Sequence, residues 1–376
     1  MLHTVFPLGR IVSSQDVVDR KPFIEGTKLR LLQGNSVMLS GPRRIGKSSV
    51  AYEILRQLQR SDCYIAKVDL FHVTSIEEFA TKLLQSVLEN RTGILGQMTY
   101  ALKQWKAMFQ VGEVHAKIQD LELGLKLEAQ TTPSDLLEIA IQTADKLATK
   151  DGKRMIVLFD EFQELERLGG EPLLKKLRSM FQQQENTVYF FLGSESSLLN
   201  TIFADRRQAF YRFATFLQLP LVPENEWRLY IEDKLSKENM RITESAIKLL
   251  LERTGGQPYC VMSVMSNAYS NAKMSDLREM NAETLHLAYE QSISQLGIIY
   301  EEQWQEIRRF KGADIVLTSI LLGNPLYQKE NHVKNVNRAI QNLIRLSVIK
   351  KGENRGRYIL LEPMFGDWIV RKKQGR

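Results

Sequence analysis

Gly41-Pro42-Arg43-Arg44-Ile45-Gly46-Lys47-Ser48 satisfies the pattern G-x-x-x-x-G-K-[ST], and the residues on either side decide how it folds. Val37-Met38-Leu39-Ser40 reads as a short buried strand, and Ser49 to Leu58 reads as a helix. In that order, the loop amides and the helix N-terminus point into one concavity that favours a polyphosphate. The glycines let the backbone close around the phosphates, Lys47 is spaced to reach the β and γ oxygens, and the Ser48 hydroxyl suits Mg²⁺. The stretch implies a site for a nucleoside triphosphate. A chance match in a glycine-containing loop is the competing reading, and both flanking elements weigh against it.

A second stretch strengthens the first. Met155-Ile156-Val157-Leu158-Phe159-Asp160-Glu161 is five apolar residues ending in two carboxylates, the pattern of a fully buried parallel strand that delivers acids at its C-terminal edge. Asp160 is expected to hold the Mg²⁺ shell, and Glu161 to orient and polarise an attacking water. A strand that merely ends in solvated acids is the blander alternative. Burial alone does not call for an Asp-Glu pair.

Composition bounds the rest. A chain of 376 residues with 43% apolar residues can fill two or three domains. No run approaches the roughly eighteen apolar residues of a membrane span, and Met1 to Phe6 lacks the basic and apolar regions of a secretion signal. Cys63 and Cys260 have no metal-ligand spacing and point to free thiols in a reducing, cytoplasmic setting. With no CxxC or HExxH, a protein-held transition metal is not expected. The net charge of +7 is unevenly spread: residues 331–376 carry 11 Lys and Arg against 3 Asp and Glu, the preceding 330 carry 40 against 41. Such asymmetry fits a nucleic-acid surface. It fits a solvated terminal face equally well.

Along the chain, buried strands at 37–40, 64–70, 155–160, 187–192 and 216–221 alternate with helical stretches, which implies an α/β fold with a parallel sheet covered on both faces. A helix is expected from about Lys28 to Gln33. Ser75-Ile76-Glu77-Glu78 reads as a capping box opening a helix to about Glu89. Residues 91–133 read as an insertion, in which Leu121, Leu123, Leu125 and Leu127 alternate with polar residues as a strand paired with Val114–Ile118. The domain reading is a P-loop core at 1–223, a helical lid at 224–280, and a linker with a terminal domain at 281–376. Beyond 224 only helices are expected, interrupted at Gly255-Gly256-Gln257-Pro258, until Val348–Lys351 and Arg357–Leu361 form a basic hairpin. Helices followed by such a hairpin describe a winged helix.

These pieces together resemble the AAA+/STAND group of P-loop ATPases, and most of all the prokaryotic ATPase-domain family widespread in archaea and related to origin-recognition initiator ATPases. Gly41 to Ser49 is similar to that family's GPRRxGKTS, and Asp160-Glu161-Phe162-Gln163 to its DEFQ-like second motif. The resemblance implies ATP as the nucleotide, held by Gly41, Pro42, Arg43, Arg44, Ile45, Gly46, Lys47, Ser48 and Ser49. It places Arg20, in Val18-Asp19-Arg20, where the family's hhGR motif contacts nucleotide, although Asp19 stands in place of the glycine. Ser194, in Leu192-Gly193-Ser194-Glu195, falls where a sensor reads the γ-phosphate, and many AAA+ proteins carry Asn there. Arg206, Arg207 and Arg212 fall where an arginine finger reaches a neighbouring subunit's nucleotide, and Tyr211-Arg212 is similar to a YGR-type signature. Pro258 corresponds to the GxP of STAND lids and would pack near adenine. Glu362-Pro363-Met364-Phe365-Gly366-Asp367-Trp368 is similar to the family's DPxFxxW and would fix the winged-helix fold.

The leading functional expectation is an ATPase that uses nucleotide state, with Mg²⁺, as a switch, alone, as a homo-oligomer or with a protein partner, and without membrane association. Lys334, Arg338 and Arg345 on the terminal helix, with Lys350, Lys351, Arg355 and Arg357 on the hairpin, are the candidates for contacting duplex DNA. The alternatives are a winged helix that binds protein, a nucleotide-gated scaffold without turnover, and a phosphoryl transferase built on the same loop.

Overall fold

The computed structural model describes residues 4–90, 118–120, 125–127, 131–193, 197–326, 335–352, 354 and 356–375. The N-terminal stretch runs to Arg20 and enters helix α1 (Lys21–Leu32), which begins seven residues before the expected Lys28 because Pro22 suits a first turn that needs no amide donor. Strand β1 (Val37–Ser40) is buried throughout and feeds α2 (Lys47–Arg60). Then come β2 (Tyr64–Asp69) and α3 (Ile76–Leu88). Ser75 caps α3 by accepting from the Glu78 amide, but the Glu78 carboxylate reaches back to the Thr74 amide rather than to Ser75. That bond, with Lys82, holds the Glu78 carboxyl down to about 2.

Within 91–130, short strands β3 (Ile118–Asp120) and β4 (Leu125–Leu127) pair antiparallel with Ile118 opposite Leu127. The remainder of that expected hairpin lies outside the described residues. A reciprocal capping box forms instead between Thr132 and Asp135, opening α4 (Pro133–Lys150). Then follow β5 (Met155–Asp160), α5 (Glu164–Phe181), β6 (Thr187–Leu192), α6 (Ser197–Ala204) and β7 (Thr215–Gln218). Helix α5 kinks where Gly170 takes φ 61° ahead of Pro172.

Among the described residues, five strands form one parallel sheet in the order β2-β5-β6-β1-β7. One strand, β6, therefore separates the strand bearing the glycine loop from the strand ending in Asp160. All five strands point the same way, so the loop, Asp69, Asp160 and Gly193 gather at one edge. Alternation along the strands divides the core. Val37, Leu39, Ile156, Leu158, Val188 and Phe190 meet α1 and α2 on one face. Met38, Val157, Phe159, Tyr189 and Phe191 meet α3, α4 and α5 on the other. Phe159 stacks on Phe181 and Tyr189 with centroids 6.0 Å apart in both pairs, and Phe162 meets Phe191 edge-on at 4.6 Å. Aromatic packing of this sort anchors the end of β5, where the acids sit.

The C-terminal half is helical: α7 (Glu224–Ser236), α8 (Glu244–Thr254), α9 (Pro258–Met274) and α10 (Ala282–Arg308). It is not helices alone, since β8 (Arg241–Ile242) and β9 (Glu279–Met280) form a two-residue parallel ladder. Helices α11 (Ala313–Leu321) and α12 (Val336–Arg345) precede an antiparallel hairpin of β10 (Ile349–Lys351) and β11 (Tyr358–Leu360), and α13 (Pro363–Lys373) closes the chain. One continuous apolar cluster runs from Val222 through Trp227, Met265, Tyr300 and Leu343 to Ile369, and it also takes in Val5, Phe6 and Val18. Trp368 and Phe365 stack at 6.0 Å beside Tyr300 as part of it.

Candidate active site

Gly46 sits at φ 93° and Arg44 at φ 65°, both in the left-handed region. For Gly46 that costs little, whereas for Arg44 it is a strained position that fixes where the guanidinium leaves the loop. The Lys47 Nζ donates to the carbonyls of Gly41 and Pro42 at 2.8 and 2.9 Å, so the ammonium lies along the inside of the loop. The Ser48 hydroxyl donates to Asp160 Oδ2 at 3.1 Å, joining positions 112 residues apart. The two stretches read separately from sequence are thus one site.

Asp160 is largely withdrawn from water. Burial, then the neighbouring charge of Glu161 and more distantly Asp69, pushes its carboxyl above the usual range, despite the Ser48 and backbone bonds that oppose this. Glu161 takes φ 52°, a left-handed conformation that turns its side chain off the line of β5. Gln163 Nε2 then donates to the Glu161 carboxylate, while Gln163 Oε1 is buried with no hydrogen-bond partner. A Cβ on Gly193 would lie 2.6 Å from that oxygen, so a larger residue where β6 ends would have to displace the Gln163 side chain.

Arg20 is buried beneath the loop. Its Nη2 donates to the Ile45 carbonyl at 3.1 Å, and its Nε has no partner. Burial pulls it down to about 10. The N-terminal stretch is tied to α2 as well: the Val12 amide donates to Ser49 Oγ at 3.3 Å, so Ser49 faces the N-terminal wall rather than the cleft's centre. That wall is held to α7 by Lys234, whose Nζ lies 2.5 Å from Asp16 Oδ1, and by the Tyr230 hydroxyl donating to Asp16 at 3.0 Å.

These walls enclose a cleft of about 1100 Å³, slightly above the usual range for small-molecule sites. The loop from Pro42 to Ser49, Arg20 and Glu161 line it from the sheet side. Pro258 at the start of α9, Trp227 in α7 and Val222 just before α7 line it from the opposite side, with Glu302, Arg345 and Glu362 from the C-terminal helices. Pro258 follows Gly255 and Gly256 at φ 61° and 66°, and the Trp227 indole donates to the Gly256 carbonyl at 2.9 Å. The structure thus brings Arg20, the whole loop, Asp160, Glu161 and Pro258 to one edge.

Other expected residues stand apart. Arg212 is exposed at φ 55° with its guanidinium 5.2 Å from its neighbour Tyr211's ring, and does not line the cleft. Arg207 pairs with Asp205. Arg338, Arg345, Lys350, Lys351 and Arg357 are exposed on α12 and the hairpin that follows, and Arg345 also lines the cleft. Ser194, Lys334 and Arg355 lie outside the described residues. Sequence reasoning missed the part Gln163 plays, though it stands in the quoted Asp-Glu-Phe-Gln run. It also missed the reach of Glu362 to the loop, which no local pattern announces.

Parallel order, loop and acid pair define a P-loop ATPase. The chain belongs to the family of ATPase domains found predominantly in Archaea, whose sequence model matches residues 26–264. It is an archaeal-type ATPase. Among solved structures it is similar to the Walker-type ATPase PABY2304 of Pyrococcus abyssi, at 18% identity and a TM-score of 0.70, over 97% of this chain and 99% of that one. It is also similar to the ORC2 protein of Aeropyrum pernix in its ADPNP–ADP complexes, at 13% identity and a TM-score of 0.62, over 99% and 98%. At such identities the likeness speaks for the fold. No curated protein sequence matches the chain. Among the described residues, no helix is long and apolar enough to cross a membrane.

Proposed function

We propose that this ATPase hydrolyses ATP with Mg²⁺ and uses the nucleotide to set the placement of its C-terminal helices, as a STAND-like switch. The observation that carries this is the Ser48–Asp160 hydrogen bond, which puts a loop hydroxyl and a strand-end carboxylate within 3.1 Å of each other. Those are hard oxygen donors of the kind Mg²⁺ takes. Among the described residues no group of three His, Cys, Asp or Glu could hold a metal alone, which fits a cation shared with phosphate oxygens. Ser48 and Asp160 would hold it, and when bound it would neutralise charge on those oxygens.

The chain's own groups do the rest. Lys47 exchanges two loop carbonyls for phosphate oxygens, a trade of neutral for charge-assisted bonds. Glu161, steadied by Gln163, accepts a hydrogen bond from the attacking water and aligns it. Arg20 supplies an unspent Nε–H beneath the loop, Pro258 packs near the adenine, and Ser194 reads the γ-phosphate. Arg212, exposed and away from its own cleft, would serve as a finger only toward a neighbouring copy. In this reading residues 1–223 form the ATPase core, 224–280 the lid and 281–376 the linker and a winged helix.

A second activity, duplex DNA binding, is favoured by the exposed Arg338, Lys350, Lys351 and Arg357 in the segment that holds all of the net positive charge. Lys334 and Arg355 would add to it. Phosphate contacts of that kind weaken with salt.

Two variants test the ATPase assignment. Lys47→Ala should abolish ATP binding, while Glu161→Gln should bind ATP and release no phosphate. Binding by Lys47→Ala at wild-type affinity, or undiminished turnover by Glu161→Gln, would refute the roles given.

A further inference from the structure

Three motifs that the resemblance assigns to separate tasks meet at one point. Arg44, on the loop, lies with its guanidinium 4.9 Å from the ring centroid of Tyr259, at the start of α9. Its Nη1 is 3.7 Å from Oε1 of Glu362, the residue that precedes α13. Both side chains are largely covered, at 26% and 12% exposure. Glu362 occupies the N-cap position of α13, yet its side chain makes no capping bond. The carboxylate is spent elsewhere: it accepts from the Tyr300 hydroxyl at 2.5 Å and shares the Cys260 thiol, at 3.6 Å, with Gln257 Oε1 at 3.2 Å. Burial first, and then the Glu362 charge, raises the titration of both donors, so each stays protonated and able to donate.

Glu362 is also unable to swing away by itself. A Cβ on Gly255 would lie 2.9 Å from Pro363 Cγ, and Gln257 Nε2 donates to the Leu361 carbonyl at 3.5 Å. The lid turn and the start of α13 are thereby fitted into each other. Of the ion pair's two members, Arg44 is the one on a loop that a polyphosphate would also touch.

We propose that Glu362 is a positioning residue for the ATPase reaction: it competes with bound polyphosphate for the Arg44 guanidinium, and through that competition couples nucleotide charge to the seating of α13. This rests on the reading that the glycine loop holds a triphosphate. Two anions share one guanidinium, so whatever draws Arg44 toward phosphate leaves a covered carboxylate short of its cation. Coupling of this sort is reciprocal: nucleotide loosens the hold on α13, and a partner that lifts α13 tightens nucleotide. The more highly charged ligand gains more, so ATP is affected more than ADP.

The test is calorimetric titration of Mg-ATP and Mg-ADP into the full chain as wild type, Glu362→Gln, Glu362→Asp, Arg44→Gln and the Arg44→Gln/Glu362→Gln double variant. Glu362→Gln keeps an acceptor for Tyr300 but removes the competing charge, and should tighten ATP about tenfold and ADP less, within the usual range of site-to-site coupling. Glu362→Asp should restore wild-type affinities. In the Arg44→Gln background the Glu362 substitution should change nothing further. A carboxylate that only supports the fold would lower thermal stability without tightening ATP. Unchanged affinities in Glu362→Gln, an equal change for ATP and ADP, or the same tightening without Arg44 would each overturn the proposal. Should Glu362→Gln not fold, Arg44→Gln decides: a reduced preference for ATP over ADP supports the competition, and a wild-type preference sinks it. Wild-type protein that binds neither nucleotide would remove the triphosphate reading itself, and this proposal with it.

Discussion

Lys234→Met removes the cation from a covered pair while keeping much of the side chain's apolar stem. Lys234 and Asp16 are 5% and 10% exposed with 2.5 Å between Nζ and Oδ1, so the variant strands a carboxylate that water barely reaches. Breaking one side of a buried pair costs about 3–5 kcal/mol, mostly the burden of the orphaned charge. For a cooperative unit of about 150–250 residues each kcal/mol moves the melting temperature by about 2–4 °C, so a fall of about 6–20 °C is expected. Converting the partner too, in Asp16→Asn/Lys234→Met, should restore most of that loss, because no charge is then left without its counterpart. Acid supplies the sign check. Burial alone would raise the Asp16 carboxyl, but bonds from Lys234, Ser13 and Tyr230 outweigh it and hold it below its ordinary value. Its contribution is therefore full above the unfolded carboxyl's range, about 4, and is lost as pH falls through the lower folded value. The assay is thermal unfolding from pH 7 to pH 3, with ATP affinity measured alongside, since Asp16 anchors the stretch that leads to Arg20. If the single variant is as stable as the double, the pair is not balanced as described and the reasoning fails.

Three further outcomes follow from the geometry. Asp160 titrates above the usual carboxylate range, so protons should compete with Mg²⁺ at higher pH than for an ordinary aspartate. Metal-dependent turnover should decline on acidification before the protein unfolds, and a decline that simply tracks unfolding would contradict this. Phe159→Ala, deep in the aromatic cluster at β5, should cost about 3–5 kcal/mol in denaturant unfolding and loosen the acid-bearing edge. Gly255→Ala meets both a left-handed φ of 61° and a contact of 2.9 Å to Pro363, and should destabilise by about 1 kcal/mol or more. Unaltered melting would show that the turn has room to spare.

Much of the site was legible because its chemistry is local in sequence. A glycine loop needs its strand and helix beside it, and an acid pair announces itself at the end of an apolar run. The parallel sheet followed from the same apolar runs. Boundaries were read less well where side chains redirect caps: Glu78 bonding to Thr74 and the box at Thr132–Asp135 each depend on rotamers that a pattern of residue types does not specify. The β8–β9 ladder was invisible because two residues carry no periodicity. Glu362 was read as a support for its own fold since nothing within the Glu-Pro-Met-Phe run reports a distance to residue 44. Contacts between distant segments are set by how helices stack, and that information is spread over the whole apolar cluster.

That cluster has a mechanical consequence. Because apolar residues from Val222 to Ile369 share one packed interior, no apolar seam separates helices α7 to α9 from the helices beyond them. The chain joins this mass to the sheet at two places, near residues 6–20 and near 219–224, and two tethers define an axis. Any turn of this mass against the sheet would pivot about that line and carry α13 and the β10–β11 hairpin with it.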